Sequence, residues 1–331
     1  GGMITKDWTL YPNVHYIVIK TILVPEGVTL TILPGTVLKF KDGSALKLDA
    51  NTLVCKGTPD SPIVFTMADL DTQSIPTLDF GNNLVEYALF ENISFSEYYG
   101  FVKYNMKNCT FNYISGNSLF NRGNLNSSNI FAFKGTQIIY FGDPNSNLVS
   151  VNAIGNNIQW YDTDAPATYI HNSNMFGNTC GAGVFSVSYN AEDITLYKPD
   201  FPNYFGSSRQ DIVRYGIYDY EHPTHPIGYG VYDLSNMLTR PSADAHAVVW
   251  KVVVNGYDAQ DEFEQLPPLG VGKHKFEVFF SRPMDKSITP FVAMGVRPPY
   301  TSHSIAEDGS WTKVSADEFN PFRVYLTMNE R

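Results

Sequence analysis

The N-terminal part of the chain alternates apolar and polar residues with a period of two and breaks at short intervals. In the stretch ILVPEGVTLTILPGTVLKF, residues 22–40, Leu30 and Ile32 can share one face while the threonines between and beside them share the other. This alternation is typical of a β-strand. Pro25-Glu26-Gly27 and Pro34-Gly35 each combine a fixed φ with a residue that tolerates positive φ, as a tight turn requires. The pattern therefore predicts short strands that end at closely spaced turns.

The same pattern continues further along the chain. Short strands are predicted at 45–48, 52–54 and 63–65, and no convincing helical spacing of apolar residues occurs up to about residue 205. The sequence therefore predicts an all-β region.

A degenerate repeat occupies residues 81–179, where about one residue in five is asparagine. Segments 85–94, 102–115 and 167–178 resemble one another, because each is an apolar strand that runs into an Asn-containing bend. Their starts lie about 17 to 20 residues apart, or multiples of that, which indicates a solenoid with one coil per repeat. Asparagine fits such bends because it tolerates left-handed backbone and because its amide can hydrogen-bond to equivalent amides in neighbouring coils.

Charge and composition exclude some partners. The formal net charge is −10 and the sequence pI is about 5.1, so the chain lacks the general attraction to phosphate on which nucleic-acid binding depends. No apolar run reaches the roughly 18 residues expected of a membrane span, so we predict no membrane span. The chain opens with Gly1-Gly2-Met3 and without a leader pattern, and we expect a fragment of a longer protein with flanking domains. Cys55, Cys109 and Cys180 stand far apart, and we interpret them as small buried apolar residues.

Motifs near the two ends of the first domain resemble a known family. The opening, from DWTLYPNVHYIVIKTILVPEGVTLTILPGTVLKF through GTPDSPIVFT, resembles the first coils of bacterial extracellular right-handed parallel β-helix proteins of the pectate-lyase-like class. Residues 203–219, NYFGSSRQDIVRYGIYD, resemble the terminal motif of the same group, with Phe205 at a position that usually holds Trp. The resemblance implies a right-handed single-stranded parallel β-helix over residues 1–241 and a secreted or cell-surface location.

The C-terminal residues resemble a second family. KHKFEVFFSRPMDKSITPFVAMGV is similar to a strand and turn of bacterial Ig-like modules, which implies an Ig-like β-sandwich over residues 242–331. Strands are predicted at about 246–255, 273–281, 290–296 and 322–328, fewer than a complete sandwich has. Either the module is unusual or it is truncated at its C-terminus, in which case an unpaired edge would invite partners.

The resemblance also implies that, if the chain is an enzyme, it would cleave an acidic polysaccharide. The NxD, DD and GHG motifs of polygalacturonase-type hydrolases do not occur, and basic residues between 80 and 200 are scattered. A polysaccharide lyase or glycoside hydrolase stays the alternative to a non-catalytic protein. An enzyme should show a groove that holds at least two carboxylates and a Lys or Arg within about 10 Å.

Two clusters could bind carbohydrate. QWYDTDAP places two aromatic rings beside two carboxylates, which suits stacking on a pyranose ring and acceptance from its hydroxyls, and EYY is a weaker version of it. The alternative is a Trp that packs on the solenoid beside an Asp in a bend. The predicted carbohydrate-binding residues are Trp160, Tyr161, Asp162, Asp164, Tyr98 and Tyr99.

A third cluster, YDYEHPTHP, could bind a transition metal such as Zn²⁺. Its candidate ligands are Asp219, Glu221, His222 and His225, and the alternative is an acidic loop that joins the last coil to the exit strand. The acidic run DAQDEFE could hold Ca²⁺ but lacks the alternating spacing of a Ca²⁺ loop. Apart from Ca²⁺, we expect no cofactor.

These observations predict a non-catalytic secreted or cell-surface β-helix protein. It would be a structural or adhesin-like segment of a larger extracellular protein, with a polysaccharide or other surface glycan as its partner. No sequence motif identifies the ligand.

Overall fold

The computed structural model describes most of the N-terminal half of the chain and selected parts of the rest. The described residues are 1–68, 77–81, 83–95, 101–116, 120–131, 139–140, 147–154, 160–161, 170–171, 173–176, 185–186, 195–197, 203–224, 226, 230–242, 244–245, 247–259, 266–294, 304–311 and 322–328. The chain divides into two compact units, Gly1–His246 and Ala247–Arg331.

The first unit is built from short strands and one short helix. Its first ten strands are β1 (Gly2–Met3), β2 (Trp8–Leu10), β3 (His15–Val18), β4 (Ile22–Val24), β5 (Leu30–Ile32), β6 (Val37–Phe40), β7 (Ala45–Leu48), β8 (Leu53–Lys56), β9 (Ile63–Met67) and β10 (Thr77–Asp79). The following strands are β11 (Leu84–Glu86), β12 (Ala88–Phe95), β13 (Phe101–Lys107), β14 (Thr110–Gly116), β15 (Phe120–Asn126), β16 (Asn129–Phe131), β17 (Ile139–Tyr140), β18 (Asn147–Val149), β19 (Asn152–Ile154), β20 (Trp160–Tyr161), β21 (Ile170–His171), β22 (Asn174–Phe176), β23 (Phe185–Ser186) and β24 (Thr195–Tyr197). The unit closes with α1 (Gln210–Arg214), β25 (Ile217–Tyr218) and β26 (Gly230–Tyr232).

Among the described residues every strand pair of this unit is parallel, and most strands pair with their equivalents in the neighbouring coils. One eight-stranded sheet runs β3-β6-β9-β12-β14-β16-β19-β22. A twelve-stranded sheet has the order β1-β4-β7-β10-β13-β11-β8-β5-β2, and β15, β18 and β21 continue it from β13. This pairing confirms the predicted all-β class and the parallel β-solenoid. No helix among the described residues is long and apolar enough to cross a membrane.

One coil is longer than the predicted repeat in most of the solenoid. Thr110 pairs with Asn129, Asn129 with Asn152 and Asn152 with Asn174, so a coil takes 19 to 23 residues there. The predicted repeat was too short because segments 85–94 and 102–115 do not start at equivalent positions: Val85 pairs with Met106, 21 residues later. The predicted alignment of asparagines in neighbouring coils is present in the backbone register.

The core lies inside the solenoid and is stacked along its axis. Phe65, Phe90 and Phe111 occupy equivalent register positions and are fully buried. Their ring centroids lie 4.8 and 4.9 Å apart, with interplanar angles of 12° and 6°. Such aromatic pairs contribute about 0.5–1.5 kcal/mol each beyond the burial of their area. The predicted inward face of the opening stretch is confirmed, since Leu30 and Ile32 are each 1% exposed.

The turns of the first coils share one construction. In each of three turns a residue with positive φ precedes a buried Thr or Ser, whose hydroxyl donates to the carbonyl three residues earlier. The three pairs are Gly35 with Thr36, Gly43 with Ser44 and Asn51 with Thr52, with donor–acceptor distances of 2.7, 2.5 and 2.6 Å. Each buried hydroxyl thus has an acceptor inside its own turn, and at Thr36 and Ser44 the same carbonyl also accepts the backbone N–H of that residue.

The second unit is an antiparallel sheet in the order β28-β27-β29-β32-β31-β30. Its strands are β27 (Val249–Val254), β28 (Tyr257–Asp258), β29 (Gly272–Phe280), β30 (Ala293–Met294), β31 (Ser304–Trp311) and β32 (Phe322–Met328). Four of these match the predicted strands, and β28 and β31 were not predicted. The buried side chains of Phe276, Phe322, Val324 and Leu326 form the center of its apolar face.

Candidate functional site

One edge of the solenoid repeats a left-handed backbone position in successive coils. Tyr87, Asn108, Ser127 and Ser150 have φ of 52°, 55°, 46° and 56°. Asparagine visits this region readily, because its short polar side chain can hydrogen-bond locally, whereas a bulky tyrosine there is unusual. A residue held in a sparsely populated conformation requires support from its surroundings, and such residues cluster at functional sites.

A groove lies beside Tyr87, and we call it the corner groove. Its volume is about 270 Å³, and it is lined by Thr58, Pro59, Pro62, Tyr87, Ala88, Leu89, Asn108 and Thr110. The loop that carries the two prolines leaves the preceding coil at Gly57 and returns at Ile63. Backbone hydrogen bonds hold it there, from Gly57 N–H to Glu86 O (2.9 Å) and from Ile63 N–H to Tyr87 O (3.1 Å).

Gly57 makes this close approach feasible. A Cβ atom at this position would lie 2.3 Å from the Tyr87 carbonyl oxygen, closer than real contacts allow. Glycine is therefore required for the loop to close on the Tyr87 corner, and any larger residue would displace one wall of the groove.

The chemistry of the corner groove suits an uncharged polar ligand. Its lining contains an aromatic ring, two proline rings, hydroxyls and an amide, and none of the lining side chains is charged. Within the described part of the chain, the side chains of Tyr87 and Asn108 form no hydrogen bond to protein groups. Aromatic and aliphatic ring surfaces next to amide and hydroxyl groups are the usual contacts of a sugar ring.

The predicted aromatic cluster is described only in part. Trp160 and Tyr161 form β20, which pairs in parallel with β17 and β23. Their backbone is described and their side chains are not. Asp162, Asp164, Tyr98 and Tyr99 lie outside the described residues. Carbohydrate binding at these positions stays a prediction.

The predicted metal cluster contains a buried carboxylate that protein groups already contact. Asp219 is fully buried and accepts hydrogen bonds from Arg214 Nη1 (2.6 Å), from the Tyr232 backbone N–H (2.8 Å) and from the Glu221 backbone N–H (2.9 Å). Arg214 also lies 3.4 Å from the Glu221 carboxylate. The arrangement neutralises the buried charge through an ion pair and backbone donors.

His222 is likewise engaged by the backbone. Its Nδ1 lies 3.2 Å from the Thr224 backbone N–H, and its Nε2 lies 3.2 Å from the Tyr215 carbonyl oxygen. Both ring nitrogens thus have protein partners, a pattern that fits an Nε2-protonated ring. Among the described residues no group of three or more His, Cys, Asp or Glu side chains is placed to hold a metal ion. His225 lies outside them, so the metal site stays a prediction.

A buried chain of hydrogen bonds connects this ion pair to the coils before it. Val151 N–H donates to Ser173 Oγ (3.0 Å), and Ser173 N–H donates to Asn203 Oδ1 (2.9 Å). The Asn203 amide donates to Tyr232 Oη (3.4 Å), and the Tyr232 N–H reaches Asp219. We call this chain of five residues the polar spine.

A second groove, in the first coils, holds charged groups. It is lined by Met3, Leu23, Val24, Pro25, Lys47, Leu48, Asp49 and Asp79 and has a volume of about 330 Å³. Lys47 and Asp79 are register partners on neighbouring strands. Asp49 accepts the Glu26 N–H at 3.1 Å and Asp79 accepts the Gly81 N–H at 3.0 Å. This groove combines two carboxylates with a lysine, as expected of an enzyme.

Two of the three cysteines are described, and both are buried and free, as their interpretation as apolar residues predicts. Burial raises the pKa of the Cys109 thiol from its ordinary 9.0 to about 12, although hydrogen bonds to backbone groups of Ala88 and Lys107 oppose it. Burial, and then the neighbouring Cys109, raises the pKa of Cys55 as well. Neither thiol is suited to act as a nucleophile. Of the acidic run near residue 260, Asp258 is described and lies 2.8 Å from the Lys251 ammonium.

Comparison with protein-family models, with curated proteins and with solved structures finds no match for this chain. The corner groove was not predicted, because its lining comes from three coils whose register the sequence does not reveal. Its available signals were the two prolines of GTPDSP and a tyrosine among the bend asparagines.

Proposed function

We propose that this chain is a non-catalytic segment of a secreted or cell-surface protein and binds carbohydrate at the corner groove. The observation that carries the proposal is the exposed polar surface beside Tyr87, in which a strained aromatic residue, two prolines and the Asn108 amide surround an uncharged cleft. The sequence resemblance to extracellular β-helix proteins and to Ig-like modules supports the location and the role of a structural or adhesin-like segment.

The groove lining supports binding rather than catalysis. Acid–base chemistry on a glycan needs a titratable group within hydrogen-bond reach of the substrate. The lining of the corner groove offers the Tyr87 phenol, hydroxyls and an amide, with no carboxylate, histidine or lysine. A sugar would be held by stacking and by neutral hydrogen bonds, while nothing would activate a water molecule.

The test is glycan binding by the full chain, measured by calorimetry after a screen against a polysaccharide panel. Replacing the ring in Tyr87→Ala should weaken binding at least tenfold, because the stacking surface is lost. The matched control is Tyr11→Ala, which removes a tyrosine that is 54% exposed in the first coil and should leave binding unchanged. Absence of binding to every glycan, or equal binding by Tyr87→Ala, would overturn the proposal.

A polysaccharide lyase or hydrolase is the second candidate, favoured by the groove of Lys47, Asp49 and Asp79. A basic side chain beside carboxylates could serve as base and acid for a glycosidic substrate. The same panel, assayed for reducing or unsaturated sugar ends, separates the two candidates. Release that disappears in Asp79→Asn and in Lys47→Ala would replace the first proposal, whereas no release by the wild-type chain would eliminate the second.

A further inference from the structure

We infer that the ligand is a linear, neutral polysaccharide that lies parallel to the solenoid axis, across successive coils. The inference rests on the proposed function and extends it from one groove to a row. Its residues, which we call the corner track, are Tyr87 with Leu89, Asn108 with Thr110, and Ser127 with Asn129.

The corner track repeats the same two positions in three consecutive coils. Tyr87, Asn108 and Ser127 share the left-handed corner. The residues two places later are register partners, since Leu89 pairs with Thr110 and Thr110 with Asn129. All six residues are partly exposed. A hydrogen bond of 3.2 Å from Asn129 Nδ2 to Thr110 Oγ1 fixes these two side chains relative to one another.

The spacing of the track matches a polymer. Neighbouring parallel strands lie about 4.8 Å apart, so equivalent corner residues recur at that interval along the axis. An extended chain of pyranose units advances by a similar length per unit. Each coil can therefore present one corner residue to one sugar unit, beginning at the Tyr87 ring.

The charge distribution selects a neutral polymer. None of the six track residues is charged, and the chain carries a formal net charge of −10. Beside the track, Glu86 directly precedes Tyr87 and forms an ion pair with Lys56 at 3.2 Å, and its register partner is Lys107. An acidic polysaccharide would meet repulsion from the whole chain and no cation on the track. The hydroxyl and amide groups of the track can hydrogen-bond to the hydroxyls of a neutral sugar without that repulsion.

The test is a length series with the neutral glycan that the panel identifies as the best ligand. Affinity of the wild-type chain should rise at each step from one to three sugar units, by about tenfold or more in total, since three coils contribute contacts. Affinity that does not change with length would overturn the inference while the proposed function stands. Tighter binding of a uronic-acid polymer than of the neutral glycan would also overturn it.

A variant two coils from Tyr87 locates the polymer on the solenoid. Ser127→Asp introduces a charge at a corner whose φ aspartate tolerates, and within the described residues the Ser127 side chain forms no hydrogen bond that the change would break. It should weaken binding of the trisaccharide several-fold and leave binding of the monosaccharide unchanged. Asn51→Asp is the matched control, because it adds the same charge at another exposed corner with φ of 60°. Equal effects of the two variants would contradict the track, and a failure of every glycan to bind would instead refute the proposed function.

Discussion

Arg214 Nη1 donates to Asp219 Oδ2 over 2.6 Å, and the carboxylate that it contacts has no exposed surface. The Arg214 side chain is 16% exposed, so the pair lies at the boundary between the interior and the solvent. Arg214 also donates to the Tyr232 carbonyl at 3.0 Å, and thereby ties α1 to β26. Asp219 is a candidate metal ligand by its sequence neighbours, and in the structure its carboxylate accepts hydrogen bonds from three protein donors.

Replacing Asp219 by alanine should destabilise the solenoid strongly. The change leaves the Arg214 guanidinium without its buried partner and removes the acceptor of two backbone N–H groups, and breaking such a pair typically costs about 3–5 kcal/mol. The free energy of unfolding, measured by urea titration followed by circular dichroism, should fall by that order. The control is Asp211→Ala, which removes the exposed partner of Arg209 and should have little effect. Similar losses in both variants would show that the buried pair has no special role.

Truncating the middle of the phenylalanine stack should also be costly. Phe90 packs between Phe65 and Phe111, so Phe90→Ala opens a cavity and should lower the free energy of unfolding by about 3–5 kcal/mol. Ile19→Ala serves as control because Ile19 is 56% exposed, and its loss should be well under 1 kcal/mol. A small effect of Phe90→Ala would mean that neighbouring coils collapse into the space.

Stability and binding should change in opposite directions at Tyr87. Asparagine occupies the equivalent corner one coil later, and it tolerates the positive φ better than tyrosine does. Tyr87→Asn should therefore leave the free energy of unfolding unchanged or raise it by up to about 1 kcal/mol. At the same time it should abolish measurable glycan binding, because the ring is absent. A loss of stability in Tyr87→Asn would show that the ring packs in the fold, and retained glycan binding would contradict its role in the groove.

The buried thiols should make stability depend on alkaline pH. Burial raises the pKa of Cys109 from 9.0 to about 12, so the unfolded chain releases the thiol proton at a lower pH than the folded chain does. The contribution to stability is complete below pH 9 and is lost as the pH rises from about 9 to about 12. Urea titrations at pH 8 and pH 10.5 should show a lower free energy of unfolding at the higher pH, and Cys109→Ala should reduce that difference. If Cys109→Ala showed the same difference in the free energy of unfolding between pH 8 and pH 10.5, other titrating groups would be its cause.

The same thiols should resist chemical labelling. In a Cys180→Ala background, a disulfide reagent at pH 8 should label neither Cys55 nor Cys109 in the folded chain and both after unfolding in urea, because both side chains are buried. Rapid labelling without urea would show that the coils around β8, which holds Cys55, and β14, which Cys109 precedes, open frequently.

Much of the solenoid was predictable because its strands obey a local rule. Leu30 and Ile32 alternate with threonines, and turns with Gly or Asn follow several of the first strands, so strand positions there follow from neighbouring residues alone. The same holds for β29 and β32 in the second unit. The strand β31 was missed because SIAEDGSW carries charges and a glycine in place of clear alternation.

The candidate sites were less predictable because they depend on register between coils. Pro59, Tyr87 and Asn108 are separated by 28 and 21 residues, and they meet only because a coil has a particular length. Asp219 and His222 were prominent in the sequence as titratable residues close together. Their partners, Arg214 and Tyr215, precede them in the chain, and these contacts join the cluster to α1 and the residue that follows it.

The polar spine should make the C-terminal end of the solenoid harder to unfold than the N-terminal end. A stacked array loses its end units first, since an end coil has only one neighbour. At the C-terminal end, side-chain hydrogen bonds join Ser173, Asn203 and Tyr232, and Asp219 accepts the Tyr232 backbone N–H. Under pulling force the C-terminal end should therefore unfold late. A tether attached there would transmit force to the preceding coils while the last coils stay paired.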